Sequence, residues 1–140
     1  MQTLGGLKHY FESLTPETVA SMGEFYTDDA YFRDPFNEVH TLRDIQRVFE
    51  KMYESLADAH FTILETVDGG ATAMLVWNLD YRIRRYQPEV QRRIHGVSHL
   101  RLAADGRVAY HRDYWDAAGE LYEQLPVIGG ALRWLKKRME

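Results

Sequence analysis

Apolar and polar positions follow two different periods along this chain, one in each half. In the first half apolar residues recur every three or four positions. Leu4, Leu7, Tyr10, Phe11 and Leu14 line one face of a first amphipathic helix. Thr15-Pro16-Glu17 offers an N-cap with proline at the first helical position. That predicts a second helix from there to about Tyr26, with Val19, Met22, Phe25 and Tyr26 on its buried side. The period then shortens to a strand around Ala30, Tyr31, Phe32 and Arg33, which Pro35 interrupts. A third helix follows Thr41 and gathers Ile45, Val48, Phe49, Met52 and Leu56 on one side.

The second half alternates. His60 to Val67 reads as a strand, and Asp68 to Gly70 as a turn. Beyond it Ala73, Leu75, Trp77, Leu79, Tyr81 and Ile83 face one way. Thr72, Asn78, Asp80, Arg82 and Arg84 face the other, with Met74 and Val76 as apolar exceptions. After a turn at Tyr86 to Glu89, Ile94, Gly96, Ser98, Leu100 and Leu102 share a face. Ala104 to Arg107 turns the chain again into a last strand. There His111, Asp113 and Trp115 point one way, and Val108, Tyr110, Arg112 and Tyr114 the other. Helices gathered first and strands later predict an α+β fold, with helices on one side of an antiparallel meander. No repeat or linker divides residues 1–140, so a single domain is expected, with 116–140 as a C-terminal helical extension. In that extension a helix restarts after Pro126 and the Gly129–Gly130 pair. Ile128, Ala131, Leu132, Leu135 and Met139 form its apolar stripe, beside Arg133, Lys136, Lys137 and Arg138. Cations near a helix C-terminus complement its dipole, and that reading is preferred to a helix lying on a membrane.

Composition narrows the function classes. With 45% hydrophobic and 27% charged residues the chain has the make-up of a soluble globular domain. A net charge of −4 supplies no basic field for nucleic acid, and the aromatic and basic residues of Asn78 to Gln87 belong to no RNA-binding signature. The absence of cysteine excludes disulfides, thiolate zinc sites and cysteine nucleophiles, and fits a cytoplasmic location. The first residues lack a basic segment followed by an apolar run, so no signal peptide is expected, and no stretch approaches the roughly 20 apolar residues of a membrane span.

Candidate chemistry concentrates in two places. Asp34 stands before Pro35, between Phe32 and Phe36, at the end of a strand. An Asp there caps a turn without any function; apolar neighbours would also raise its carboxyl toward values useful to a general base. On the last strand, His111 and Asp113 lie on one face, roughly 6–7 Å apart and within reach of a shared water or substrate group. A metal held by Asp34, His111 and Asp113 has no supporting ligand motif, and none is expected. His95 and His99, about 13 Å apart on one strand, cannot share a metal. They belong to the outer face of the sheet, opposite Ser98.

The segment from Tyr26 to Phe36, "YTDDAYFRDPF", resembles the nuclear transport factor 2-like superfamily, specifically its ketosteroid isomerase and SnoaL-like polyketide cyclase branches. Leu100 to Trp115 is similar to that family's final hairpin. The resemblance implies a cone-shaped fold: N-terminal helices packed in a strongly curved antiparallel sheet, enclosing a mainly apolar pocket. It puts the proton-shuttling base on Asp34 and an oxyanion-binding tyrosine on Tyr10. It also puts Ser98 where isomerases carry a protonated Asp as second oxyanion donor, and Trp115 in the pocket. The expected function is cofactor-free acid–base chemistry on a small, largely apolar carbonyl compound. His111 and Asp113 would orient the substrate or relay a proton, and Trp77, Trp115, Phe32 and Phe36 would wall the pocket. The alternative is a module of the same fold that binds a small apolar ligand or another protein without turnover. Homodimerisation through the outer face of the sheet is also implied.

Overall fold

The computed structural model describes residues 1–121 and 126–139. Helix α1 (Leu4–Glu12) starts where the Thr3 hydroxyl accepts the Gly6 N–H at 3.0 Å, and it buries Leu7, Tyr10 and Phe11. Strand β1 (Tyr26–Arg33) and the short β2 (Glu38–Val39) flank the turn that holds Asp34. Helix α2 (Leu42–Ser55) is capped by Thr41, as its sequence predicts, and buries Ile45, Phe49 and Tyr53. Four long strands follow: β3 (Leu56–Asp68), β4 (Thr72–Ile83), β5 (Arg92–Leu102) and β6 (Val108–Trp115). A four-residue helix α3 (Ala117–Glu120) and helix α4 (Pro126–Met139) complete the described chain.

The six strands form one curved, unclosed sheet in the order β2-β1-β6-β5-β4-β3. Strands β3 to β6 make the antiparallel meander that the alternation predicts, with a turn at Asp68–Gly70 where Gly70 adopts φ +83°. Strand β1 joins the far side of β6 in parallel, so Phe32 lies beside His111. Helices α1 and α2 pack against the concave face, and their apolar stripes meet Ala73, Leu75, Trp77, Leu79, Tyr81, Ile94 and Leu100 in one continuous core. The fold is the α+β cone.

Two details depart from the sequence-based expectation. Thr18–Glu24 is a single seven-residue 3-10 segment, and Tyr26 lies not on a helix but at the start of β1. The N–H of Val108 bonds the Phe25 carbonyl at 2.7 Å, so pairing with the last strand ends the helical spacing one residue before Tyr26. Val108 is fully buried rather than outward-facing. A bulge between Leu102↔Val108 and Arg101↔Tyr110 leaves Ala109 unmatched and inverts the alternation at the head of β6.

Candidate active site

The polar site grows from a gap in the sheet. Gly96 on β5 lies opposite Trp77 on β4, and a Cβ there would come within 2.6 Å of the indole ring. Without one, the Trp77 ring lies over the glycine and its Nε1–H reaches the Ser98 hydroxyl at 2.8 Å. Ser98 pairs directly with Asp113 on β6 and donates to its Oδ1 at 2.5 Å. The same oxygen is 2.6 Å from Nε2 of His111, which is buried on the same face of β6. On its other side, His111 Nδ1 is 2.6 Å from the hydroxyl of the fully buried Tyr26. A carboxylate only accepts, so Nε2–H donates to Asp113, and in that tautomer Nδ1 accepts from Tyr26. Burial, and after it the nearby Asp113 charge, hold the Tyr26 hydroxyl well above its ordinary pKa of 10.0, which keeps it a donor. Trp77, Ser98, Asp113, His111 and Tyr26 therefore form one continuous chain, buried except at the partly exposed Asp113. It occupies Asp113 Oδ1 and, among the described residues, gives Oδ2 no hydrogen-bond partner.

Asp34 approaches from β1. Its Oδ1 accepts the N–H groups of Phe36 at 2.8 Å and Asn37 at 2.7 Å, and the Asn37 side-chain amide at 3.0 Å. Pro35 has no N–H to offer, so the carboxylate skips it and closes the turn on the next two residues. The Asn37 amide also reaches Oδ2, at 3.2 Å. Burial nevertheless raises the Asp34 carboxyl above its ordinary 3.8; the bonds from Phe36 and Asn37 oppose that, and the Asp113 charge adds to it. Turn residue and perturbed carboxyl are the same side chain.

Both carboxyl groups line one cavity of about 450 Å³, which falls within the range of small-molecule sites. Phe32, Phe36 and Trp115 surround the carboxyl end. Val48, Phe49 and Met52 of α2 form one wall, and Phe61, Trp77, Leu79 and Ile94 of the sheet the other. Phe36 meets Trp115 edge to face at 5.6 Å and is half exposed at the opening. Behind Asp113 a niche of about 20 Å³ reaches Ser98 and His111, with room for on the order of one water.

Of the residues singled out in the sequence, Asp34, Asp113, Trp115, Trp77, Phe36 and Phe32 meet at this cavity, and His111 and Ser98 stand directly behind it. Tyr10 does not join them. Its ring stacks on Phe25 at 4.2 Å and its hydroxyl donates to the Thr18 carbonyl at 2.7 Å, because the 3-10 segment crosses over that end of α1. The Ser98 hydroxyl faces Asp113, not the cavity. Both ring nitrogens of His111 are engaged, which leaves no lone pair for a metal. No group of three His, Asp or Glu side chains suited to a metal occurs among the described residues. Sequence reasoning missed Asn37, the α2 wall and Tyr26. The proximity of Tyr26 to β6 is set by parallel pairing across the sheet, for which no local pattern exists.

A family model for the SnoaL-like domain matches residues 7–111. Among curated proteins none matches the chain in sequence. Solved structures share its fold at low identity. A protein of ketosteroid isomerase-like fold from Catenulispora acidiphila, in complex with trimethylamine, is 13% identical with a TM-score of 0.74, over 86% of this chain and 92% of its own. A protein from Shewanella putrefaciens assigned as a SnoaL-like polyketide cyclase is 20% identical with a TM-score of 0.68, over 89% and 100%. An epoxide hydrolase of M. tuberculosis is 16% identical with a TM-score of 0.66, over 81% and 82%.

Proposed function

The chain belongs to the SnoaL-like domain family, and we propose that it is an acid–base enzyme that moves a proton on a small, largely apolar compound with an acidified C–H bond, such as a ketone. The observation that carries this reading is that Asp34 and Asp113 line the same apolar cavity. Asp34 is the base. Burial raises its proton affinity, and the fixed negative charge of Asp113 favours its taking a proton, since two carboxylates at one site repel. Asp113 tunes Asp34 and accepts a substrate hydrogen bond at Oδ2, while His111 and Ser98 fix it from behind. The aromatic walls select an apolar body and exclude water, which strengthens every charge effect inside.

The test needs no knowledge of the physiological substrate. Apolar cyclic and aryl ketones are incubated with the protein in D₂O, and deuterium incorporation beside the carbonyl is followed by NMR. Exchange above buffer that falls by roughly 10²–10⁴ in Asp34→Asn and is unchanged in Tyr10→Phe is the expected result. Exchange that survives Asp34→Asn would remove Asp34 from the role.

One observation favours a second reading. The Tyr10 and Ser98 hydroxyls, the two expected oxyanion donors, are both committed to protein acceptors. A cavity that holds an apolar ligand without turnover needs neither. Native mass spectrometry separates the readings: a co-purified ligand retained equally by wild type and Asp34→Asn, with no exchange on any ketone, is the signature of a binder.

A further inference from the structure

We infer that helix α4 is a docking element for the anionic headgroup surface of a lipid bilayer. The dipole reading accounts for the cations of α4 but not for the apolar side chains beside them. Among its described side chains, Trp134, Leu135 and Met139 are 62%, 49% and 79% exposed, and all from Arg133 to Met139 face solvent. Ala131, Trp134, Leu135 and Met139 follow i, i+3, i+4, i+8 spacing and so share one arc of the helix. Arg133, Lys136 and Lys137 fall on the opposite arc, and the Arg138 guanidinium lies 5.2 Å from the centre of the Trp134 ring. An apolar arc with an indole, backed by cations, is the pattern of a helix that lies in the plane of a membrane interface.

Charge selects the occupant. Residues 126–139 carry four Lys and Arg and no Asp or Glu. The rest of the chain then holds thirteen of the 17 cations against all 21 acids, a balance of −8. The basic charge is segregated onto one exposed helix, while the body is repelled by an anionic surface, so only α4 is drawn to it. Helix propensity points the same way. Fourteen residues that include Gly129 and Gly130 make a marginal helix in water, and a surface that buries the apolar arc supplies the missing stabilisation.

The experiment is flotation of the full chain with phosphatidylcholine vesicles, with and without phosphatidylserine. Co-flotation with the anionic vesicles alone is expected, with loss at high salt. Lys136→Gln/Lys137→Gln should weaken partitioning roughly 20–30-fold, and Trp134→Ser should abolish it. The melting temperature should be unaltered in each variant, because the replaced side chains are exposed. No flotation with anionic vesicles overturns the inference, as does flotation indifferent to both variants. A wild-type dimer in light scattering that Trp134→Ser dissociates, with no vesicle binding, overturns it in favour of a second copy of the chain.

Discussion

Two side chains illustrate how much depends on single hydrogen bonds. Asp34 has a raised pKa in the folded state, so folding is favoured by its protonated form. Its contribution is therefore most favourable below the ordinary carboxyl value and declines as pH rises through the raised one. Asn at this position keeps the acceptor for Phe36 and Asn37 but does not titrate. The melting temperature of wild type relative to Asp34→Asn should accordingly fall between acid and neutral pH; a constant difference would show that burial does not perturb this carboxyl. Tyr26→Phe removes the hydroxyl 2.6 Å from His111 Nδ1 and leaves that buried nitrogen without its partner among the described residues. A loss of about 1–3 kcal/mol in urea unfolding is expected, and a loss near zero would show the bond to be dispensable. Asp34 was legible in the sequence because the Asp-Pro pair and its flanking rings are local. The turning away of Tyr10 was not, since its rotamer depends on a carbonyl of the segment that crosses over it.

At the scale of elements, β4, β5 and β6 act as one unit through Gly96. Its missing side chain admits the Trp77 ring on one side, while Trp115 pairs with it on the other. Gly96→Ala introduces a Cβ within 2.6–2.7 Å of two ring carbons and 3.0 Å of the Tyr114 carbonyl oxygen, so the indole or the strand must shift. The expected cost is about 1–3 kcal/mol, read by urea unfolding, with a changed tryptophan fluorescence as the Trp77–Ser98 bond is displaced. Unchanged stability and emission would mean that the sheet absorbs the methyl group. The strands and their inward faces were readable from alternation, Gly96 and Ser98 included. The match of Ser98 to Asp113 was not, because the bulge near Ala109 sets the register of β6 and nothing in the local pattern announces it. The same bulge inverted Val108.

Across the whole molecule, the cone follows from helices first and strands later, an order visible in the change of period. The α2 wall of the cavity depends on how that helix crosses the concave face, which no local pattern announces. The behaviour of α4 could not be read from its stripe. The spacing shows that an apolar arc exists; only the packed structure shows that the body leaves Trp134, Leu135 and Met139 uncovered.

The parallel pairing of β1 with β6 gives the site a place in time as well as in space. Phe32 neighbours His111, so α2 and β3 to β5 all lie within the loop that this pairing closes. Closing so long a loop costs chain entropy that helices and hairpins do not face, so the β1–β6 seam is expected to form late in folding. Asp34 lies just beyond one side of that seam, and His111 and Asp113 lie on the other. During synthesis the apolar walls of α2, β3, β4 and β5 emerge and can collapse while Asp34 still lacks its partner carboxylate. The pair becomes complete only with the arrival of the last strand, so the apolar walls can assemble before both carboxyl groups face the cavity.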